Sequence, residues 1–291
     1  LMNKKITIAI DAMGGENSPN KTIEGINIFL KNHKDANDFE INLFGDKKKI
    51  QDEINNFKII DKRINIIHTS KVISDEETPL AAIKNSKETS MWNCINAQIS
   101  GGADISLSAG NTGVLLVVSR MILKMMSEVS KPALAGLWPN KTSMNVVLDL
   151  GANIECDDQN LVDFAELGSA LYKSLYPKEK PKVSLLNIGS EEIKGTDVLK
   201  KTFKRLNLLS NDNNFIFKGY IEGNRIMNGE TNVIVTDGFT GNIALKTAEG
   251  TANFITSELK NALSSSFIGK LSGLLNIKNL RKFKKKLDPR L

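Results

Sequence analysis

Five short loops hold the residues best suited to chemistry. They read Asp11-Ala-Met-Gly-Gly15, Ser108-Ala-Gly-Asn-Thr-Gly113, Asp149-Leu-Gly-Ala-Asn153, Asn187-Ile-Gly-Ser-Glu-Glu-Ile-Lys-Gly195 and Asp237-Gly-Phe-Thr-Gly-Asn242. Each joins glycine to amide, hydroxyl or carboxylate side chains. Glycine lets backbone N–H groups approach a ligand closely, and a helix start offers unpaired donors at the positive end of its dipole, so the two together favour phosphate or carboxylate. Ser108–Gly113, leading into a helix-like stretch over 114–126, fits this pattern best. A glycine after a strand is also an ordinary turn, so the weight lies in five such loops, not in any one.

The elements that position these loops are short β-branched runs alternating with longer helix-like stretches. Strands are expected over 6–10, 40–44, 64–67, 103–107, 145–150, 182–186, 214–219 and 232–235. Helices are expected over 21–31, 78–98, 114–126, 161–172, 197–206 and 242–263. Such alternation is the signature of a largely parallel sheet. In open α/β sheets the ligand crevice lies beyond the carboxyl ends of the strands, which is where these loops fall. No repeat and no long linker interrupts the chain, and residues 1–291 are taken as a single domain.

Composition removes several function classes. With 41% hydrophobic and 25% charged residues the chain is neither disordered nor a disulfide scaffold. The only cysteines, Cys94 and Cys156, stand in no metal-ligand spacing and read as reduced, packed thiols. His33 and His68 are the only histidines, so the chemistry is expected to proceed without a histidine base, and no metal is expected. There is no G-x-G-x-x-G, and Gly189–Gly195 has one residue too many for a P-loop, with Thr196 where its lysine should stand. No cofactor is expected. No apolar run approaches the roughly 18 residues of a membrane span and no signal-peptide core follows Lys5, so the expected compartment is the cytoplasm.

The net charge of +6 is uneven. Residues 260–291 hold nine Lys and Arg against Asp288 alone, a basic arm of +8 that leaves −2 for residues 1–259. Within the arm Phe267, Ile268, Leu271, Leu274 and Leu275 share one helical face, followed by the basic run Arg281–Lys286. That is the pattern of an interfacial helix drawn to an anionic membrane surface. Packing of the same face in a dimer interface is the competing reading. A non-enzymatic protein binding anionic lipid or nucleic acid through the arm is the alternative from another class; with Phe283 the only aromatic in the basic run, stacking on bases has little support, and no nucleic-acid partner is expected.

The five loop strings, in this order, resemble the bacterial phosphate acyltransferases that act on acyl carrier protein thioesters in fatty acid and phospholipid synthesis. The resemblance rests on 8–15, 108–113, 148–153, 186–189 with 192–195, and 237–246 with Glu249-Gly250, and runs from about residue 4 into the arm. The family often has Asp-His where this chain has Glu16-Asn17, and an Arg-Lys pair is not reproduced in Ile83-Lys84-Asn85. Family members continue past the position of Asp288, where this sequence ends at Leu291. The resemblance implies a three-layer α/β fold with a largely parallel sheet, similar to the isocitrate and isopropylmalate dehydrogenases, in a homodimer. It implies transfer of a long-chain acyl group from acyl carrier protein to inorganic phosphate, giving acyl phosphate for phospholipid synthesis by a cytoplasmic, peripherally membrane-associated enzyme.

That chemistry suits a histidine-poor site. Inorganic phosphate is anionic near pH 7 and a thiolate is a good leaving group, so the reaction needs positioning and donors for the developing oxyanion. Asn111, Lys194, Asn242 and Lys246 are the candidate catalytic residues, although either lysine equally suits a solvated surface. Asp11, Gly14, Gly15, Ser108, Gly110, Thr112, Gly113, Asn153, Asp237 and Gly238 are the candidate substrate and phosphate ligands. Asp11, Asp149 and Asp237 each follow a strand and could instead cap a helix or brace a loop.

Overall fold

The computed structural model describes residues 5–34, 36–74, 78–210 and 215–287; the side chains of Leu80, Ala82, Ile83 and residues 284–287 lie outside that description. The chain forms two compact units, residues 1–126 and 127–291. The expected parallel sheet is therefore two sheets, one in each.

In the first unit β1 (Ile6–Asp11), β2 (Phe39–Gly45), β3 (Ile64–His68) and β4 (Ile105–Ser108) form a wholly parallel sheet of order β3-β2-β1-β4. Helices cover both faces. On one face α1 (Asn20–Asn32) and α2 (Lys47–Asn56) bring Ile23, Ile26, Leu30, Ile50 and Ile54 onto Ile41 and Leu43 of β2. On the other, α4 (Ser90–Ile99) buries Cys94 and Ala97 against Ala9 and Phe44. Met91 and Ile95 of α4 then meet Val114, Val118 and Ile122 of α5 (Thr112–Leu123). Each large apolar side chain buried this way stabilises the unit by about 1.5–3 kcal/mol relative to exposure.

The helix expected over 78–98 is two helices, α3 (Pro79–Asn85) and α4. Glu88 takes a left-handed φ of 67°, which cannot continue an α-helix. Thr89 then begins a new helix by accepting from the Trp92 N–H at 3.2 Å. A helix not expected from the sequence, α2, has only Ile50 and Ile54 on its buried side.

The second unit has the order β5-β6-β9-β7-β8, from β5 (Gly136–Pro139), β6 (Met144–Leu148), β7 (Lys182–Leu186), β8 (Ile216–Ile221) and β9 (Val233–Val235). Only β5 and β6 pair antiparallel. Strand alternation divides the core. Val146, Leu148, Val183, Val233 and Val235 pack under α6 (Asp158–Leu175) and α7 (Asp197–Leu209), while Val147, Leu186 and Ile234 face the other way, toward Ala244, Leu245 and Ala248 of α8 (Gly238–Ser264). A Cβ on Gly168 would stand 2.6 Å from Val233 Cγ1 and 2.7 Å from Leu148 Cδ2, so glycine is what lets α6 lie this close to the sheet. A 3-10 turn (Gly223–Asn228) precedes β9, and α9 (Phe267–Leu275) and α10 (Ile277–Leu287) complete the arm. The strand expected from 214 begins at Ile216, with Asn214 itself outside the described residues, and α8 starts at Gly238 instead of Asn242.

Candidate functional site

In the first unit β1 and β4 are neighbours, and their last residues, Asp11 and Ser108, are register partners. The Ser108 hydroxyl donates to Asp11 Oδ2 at 2.7 Å and its Oγ accepts the Gly110 N–H at 3.1 Å, while Asp11 Oδ1 accepts the Met13 N–H at 3.2 Å. One buried carboxylate thus ties both glycine loops. Gly14 lies where a Cβ would stand 2.6 Å from Asp11 Oδ2 and 2.8 Å from the Gly110 nitrogen, so the loops touch backbone to backbone. Gly15 has φ +89°. Asn111 is the N-cap of α5, its Oδ1 accepting the Val114 N–H at 3.1 Å. Thr112 and Gly113 form the first turn of that helix, at the positive end of its dipole. Asp11, Gly14, Gly15, Ser108, Gly110, Asn111, Thr112 and Gly113 are therefore brought to one edge of one sheet.

Asp149, Asp237 and Asn187 follow β6, β9 and β7, the three parallel central strands of the second unit, so their loops share its carboxyl edge. The buried Asp149 carboxylate is fully committed. Its Oδ1 accepts from the backbone N–H groups of Leu134 (3.0 Å), Gly151 (3.1 Å) and Ala152 (2.9 Å), and Oδ2 from Asn153 N (2.7 Å) and Nδ2 (2.8 Å). This is loop bracing, one of the two roles open to it from sequence. Asp237 is likewise a cap, accepting at α8's start from Thr240 N at 2.8 Å and Thr240 Oγ1 at 2.9 Å.

These two loops interlock. A Cβ on Gly238 would stand 2.5 Å from the Asn153 carbonyl oxygen, and one on Gly241 would stand 1.9 Å from that of Asp149. Asn242 Nδ2 closes the joint by donating to the Leu150 carbonyl at 3.3 Å. Asn153 donates to the Pro132 carbonyl at 2.7 Å.

Of the two candidate lysines, Lys194 pairs with Glu191 at 2.8 Å, and that carboxylate raises its pKa above the ordinary lysine value. Asn187 holds its loop in place, donating to the Lys194 carbonyl at 3.2 Å. Lys246 pairs with Glu249 at 2.8 Å, one turn beyond Asn242 along α8.

Neither cysteine is poised for nucleophilic work. Burial, with help from the Asp11 charge, pushes Cys94 up to about 12, and burial with Asp149 nearby pushes Cys156 up to about 11. Among the described residues no group of three His, Cys, Asp or Glu could hold a metal ion.

Sequence reasoning placed Asn187 at the head of its loop without naming it a candidate site residue, and did not mark the segment Pro132–Leu134 that meets Asp149 and Asn153. An asparagine directly after a strand and seven residues before Lys194 was the available signal for the first. The arm residues Phe267, Ile268, Leu271, Leu274 and Leu275 all lie on α9 and all are exposed. Arg281, Lys282 and Phe283 are exposed on α10; the side chains of Lys284–Leu287, and residues Asp288–Leu291 as a whole, lie outside the described residues. Among the described residues no helix is long and apolar enough to cross a membrane.

Comparison with solved structures finds the same architecture. An EutD phosphotransacetylase from Staphylococcus aureus matches with a TM-score of 0.62 at 18% identity, over 86% of this chain and 83% of that one. A phosphotransacetylase from Streptococcus pyogenes matches at 0.59 and 17%, over 86% and 82%. At such identities the likeness establishes the three-layer α/β fold alone. Sequence goes further. The phosphate acyltransferase of Pelagibacter ubique (strain HTCC1062) is 58% identical over 290 residues, covering 100% of this chain and 85% of that protein. That of Parvibaculum lavamentivorans (strain DS-1 / DSM 13023 / NCIMB 13966) is 41% identical, over 99% and 79%. The family model described as fatty acid synthesis protein matches residues 6–291, loops and arm included. On this match, which spans both units, the chain belongs to the phosphate acyltransferase family of fatty acid synthesis enzymes.

Proposed function

We propose that this chain transfers a long-chain acyl group from acyl carrier protein to inorganic phosphate. The observation that carries the reading is the paired loops of β1 and β4, where Asp11 and Ser108 fix a glycine-lined approach to the N-terminus of α5. A phosphate oxygen attacks the thioester carbonyl carbon, the C–S bond breaks, and the electron pair leaves with sulfur. The departing thiol has a pKa of about 8.5, so it leaves as thiolate without a strong acid. Ser108–Gly113 with Asp11–Gly15 bind phosphate in the first unit; Lys194, Asn242 and Lys246, in the second, are the candidate charge and hydrogen-bond donors. Lys194, its pKa raised by Glu191, acts as a cation and not as a base.

The acyl phosphate made this way serves phospholipid synthesis, and the enzyme works as a homodimer resting on the membrane. The exposed α9 face, with Phe267 at 83% and Leu275 at 79%, favours the membrane part of this reading. Incubating the purified chain with palmitoyl acyl carrier protein and phosphate should yield palmitoyl phosphate and free carrier thiol in equal amounts. A folded chain that releases no thiol under those conditions removes the proposal.

A further inference from the structure

The second unit contains a cavity of about 680 Å³ whose wall is nearly all apolar. Trp138 of β5, Leu150, Met227, and Leu245 and Ala248 of α8 line it, and Phe283 of α10 stands at its margin. Its few polar groups are already satisfied. Asn140 Nδ2 donates to Asn145 at 2.7 Å, Lys141 Nζ to Asn228 Oδ1 at 2.9 Å, and Glu249 holds Lys246 at 2.8 Å. The occupant this wall asks for is neutral and apolar, and the volume is that of a small-molecule site, not of a docked protein face.

Its position names the occupant. Leu150 belongs to the loop braced by Asp149, and its carbonyl accepts from Asn242. Leu245 lies one turn beyond Asn242, and from Leu245 to Ala252 the α8 wall runs about 10 Å toward the arm. We infer that this groove is the acyl-chain site: the thioester or acyl phosphate head lies by Asn242 and the hydrocarbon tail runs along α8 toward α10. The groove thereby gives the chain an apolar path from the reacting end to the segment assigned to the membrane. The inference rests on the acyltransferase reading, but its test does not depend on turnover.

Octanoate, dodecanoate and hexadecanoate, each below its micelle concentration, would be measured by displacement of a fluorescent fatty acid from the intact chain. Affinity should rise with length by about fourfold per buried methylene until the groove is full. Ala248→Trp fills the groove from α8, and Met227→Trp fills it from the 3-10 turn, at a half-exposed position that needs no repacking of the core. Each should lower hexadecanoate affinity tenfold or more and octanoate affinity less than threefold. Hexadecanoate binding unchanged in both variants would overturn the inference. So would a change of sedimentation coefficient with unaltered fatty acid binding, which would make the groove an interface between copies. Groove-dependent binding in a chain that forms no acyl phosphate would leave the groove standing and remove the acyltransferase reading.

Discussion

The Ser108 hydroxyl donates to Asp11 Oδ2 at 2.7 Å across the β1–β4 pair, joining residues 97 positions apart in sequence at the carboxyl edge of one sheet. That bond fixes the spacing of the two glycine loops in the first unit, and through the Gly110 N–H it sets the approach to α5. Ser108→Ala leaves the buried Asp11 carboxylate without its side-chain donor, which costs about 1–3 kcal/mol. Urea unfolding should show that loss, and the KM for phosphate should rise. A variant with unchanged stability and unchanged phosphate dependence would show that the pair organises neither loop.

Asn111 both caps α5 and faces the phosphate site of the proposal, and two substitutions separate those roles. Asn111→Leu removes the cap, at about 1 kcal/mol. Asn111→Asp keeps an acceptor for the Val114 N–H but sets a negative charge where phosphate is to bind. The aspartate variant should therefore melt within a degree or two of the parent while losing at least tenfold in kcat/KM for phosphate. Equal phosphate use by parent and aspartate variant would move the anion site to another loop.

Asp149→Ala strands five donors at once, four of them backbone N–H groups. With buried unsatisfied groups costing about 1–3 kcal/mol each before relaxation, a loss of at least 3 kcal/mol is expected. Asp149→Asn keeps one acceptor oxygen and should fall in between. If the alanine variant unfolds at the parent's denaturant midpoint, the carboxylate is not the brace described above.

Lys194→Met removes a cation, and on the proposed role of Lys194 as an oxyanion donor kcat should fall by about 10²–10³-fold. Glu191→Gln releases Lys194 from its ion pair, so the lysine pKa should fall back toward its ordinary value while staying well above pH 8, where the amine remains protonated. The rate profile between pH 6 and 8 should be the same shape in the parent and in Glu191→Gln. A new inflection in that window would show Lys194 acting as a base.

Cys94 and Cys156, held at about 12 and about 11, stay protonated at neutral pH. Iodoacetamide at pH 7.5 should leave activity intact over a time in which free cysteine is fully alkylated. Rapid stoichiometric inactivation would point instead to an acyl-cysteine intermediate.

Binding to vesicles containing anionic lipid should weaken as salt shortens the Debye length below roughly 10 Å. Leu271→Gln with Leu274→Gln should reduce it more than tenfold, since each buried leucine contributes about 1.5–3 kcal/mol. Co-sedimentation that is insensitive to both changes would place the membrane contact elsewhere.

How much of this was legible in the sequence depends on the range of the contacts involved. The alternation Val146, Val147, Leu148 marks a strand buried on both faces, and the structure divides those residues between the two sides of the sheet. The β5 strand was not expected from the sequence, its four residues beginning with glycine and ending with proline, both rare in strands, and it exists through pairing with β6, Trp138 opposite Asn145. The α2 helix was hidden by its polarity, only Ile50 and Ile54 facing the core. In the loops, glycine and amide content marked segments that the structure places at the carboxyl edges of the two sheets, and Asn111 sits where a helix cap belongs. The tie from Leu134 to Asp149 joins separate loops through a backbone N–H, which any residue but proline carries, so no residue type announces it.

The α8 helix starts where Gly238 and Gly241 press against the carbonyls of Asn153 and Asp149, closer than any other side chain would permit. Its 27 residues extend about 40 Å from that root. Ala244, Leu245 and Ala248 also hold its first turns on the sheet, so the remainder is a lever about 24 Å long, in which a tilt of a few degrees becomes about 1–2 Å where α9 begins. A displacement of α8 is thus delivered to the Asp149 loop through two glycines, and even an alanine at either would force the joint apart.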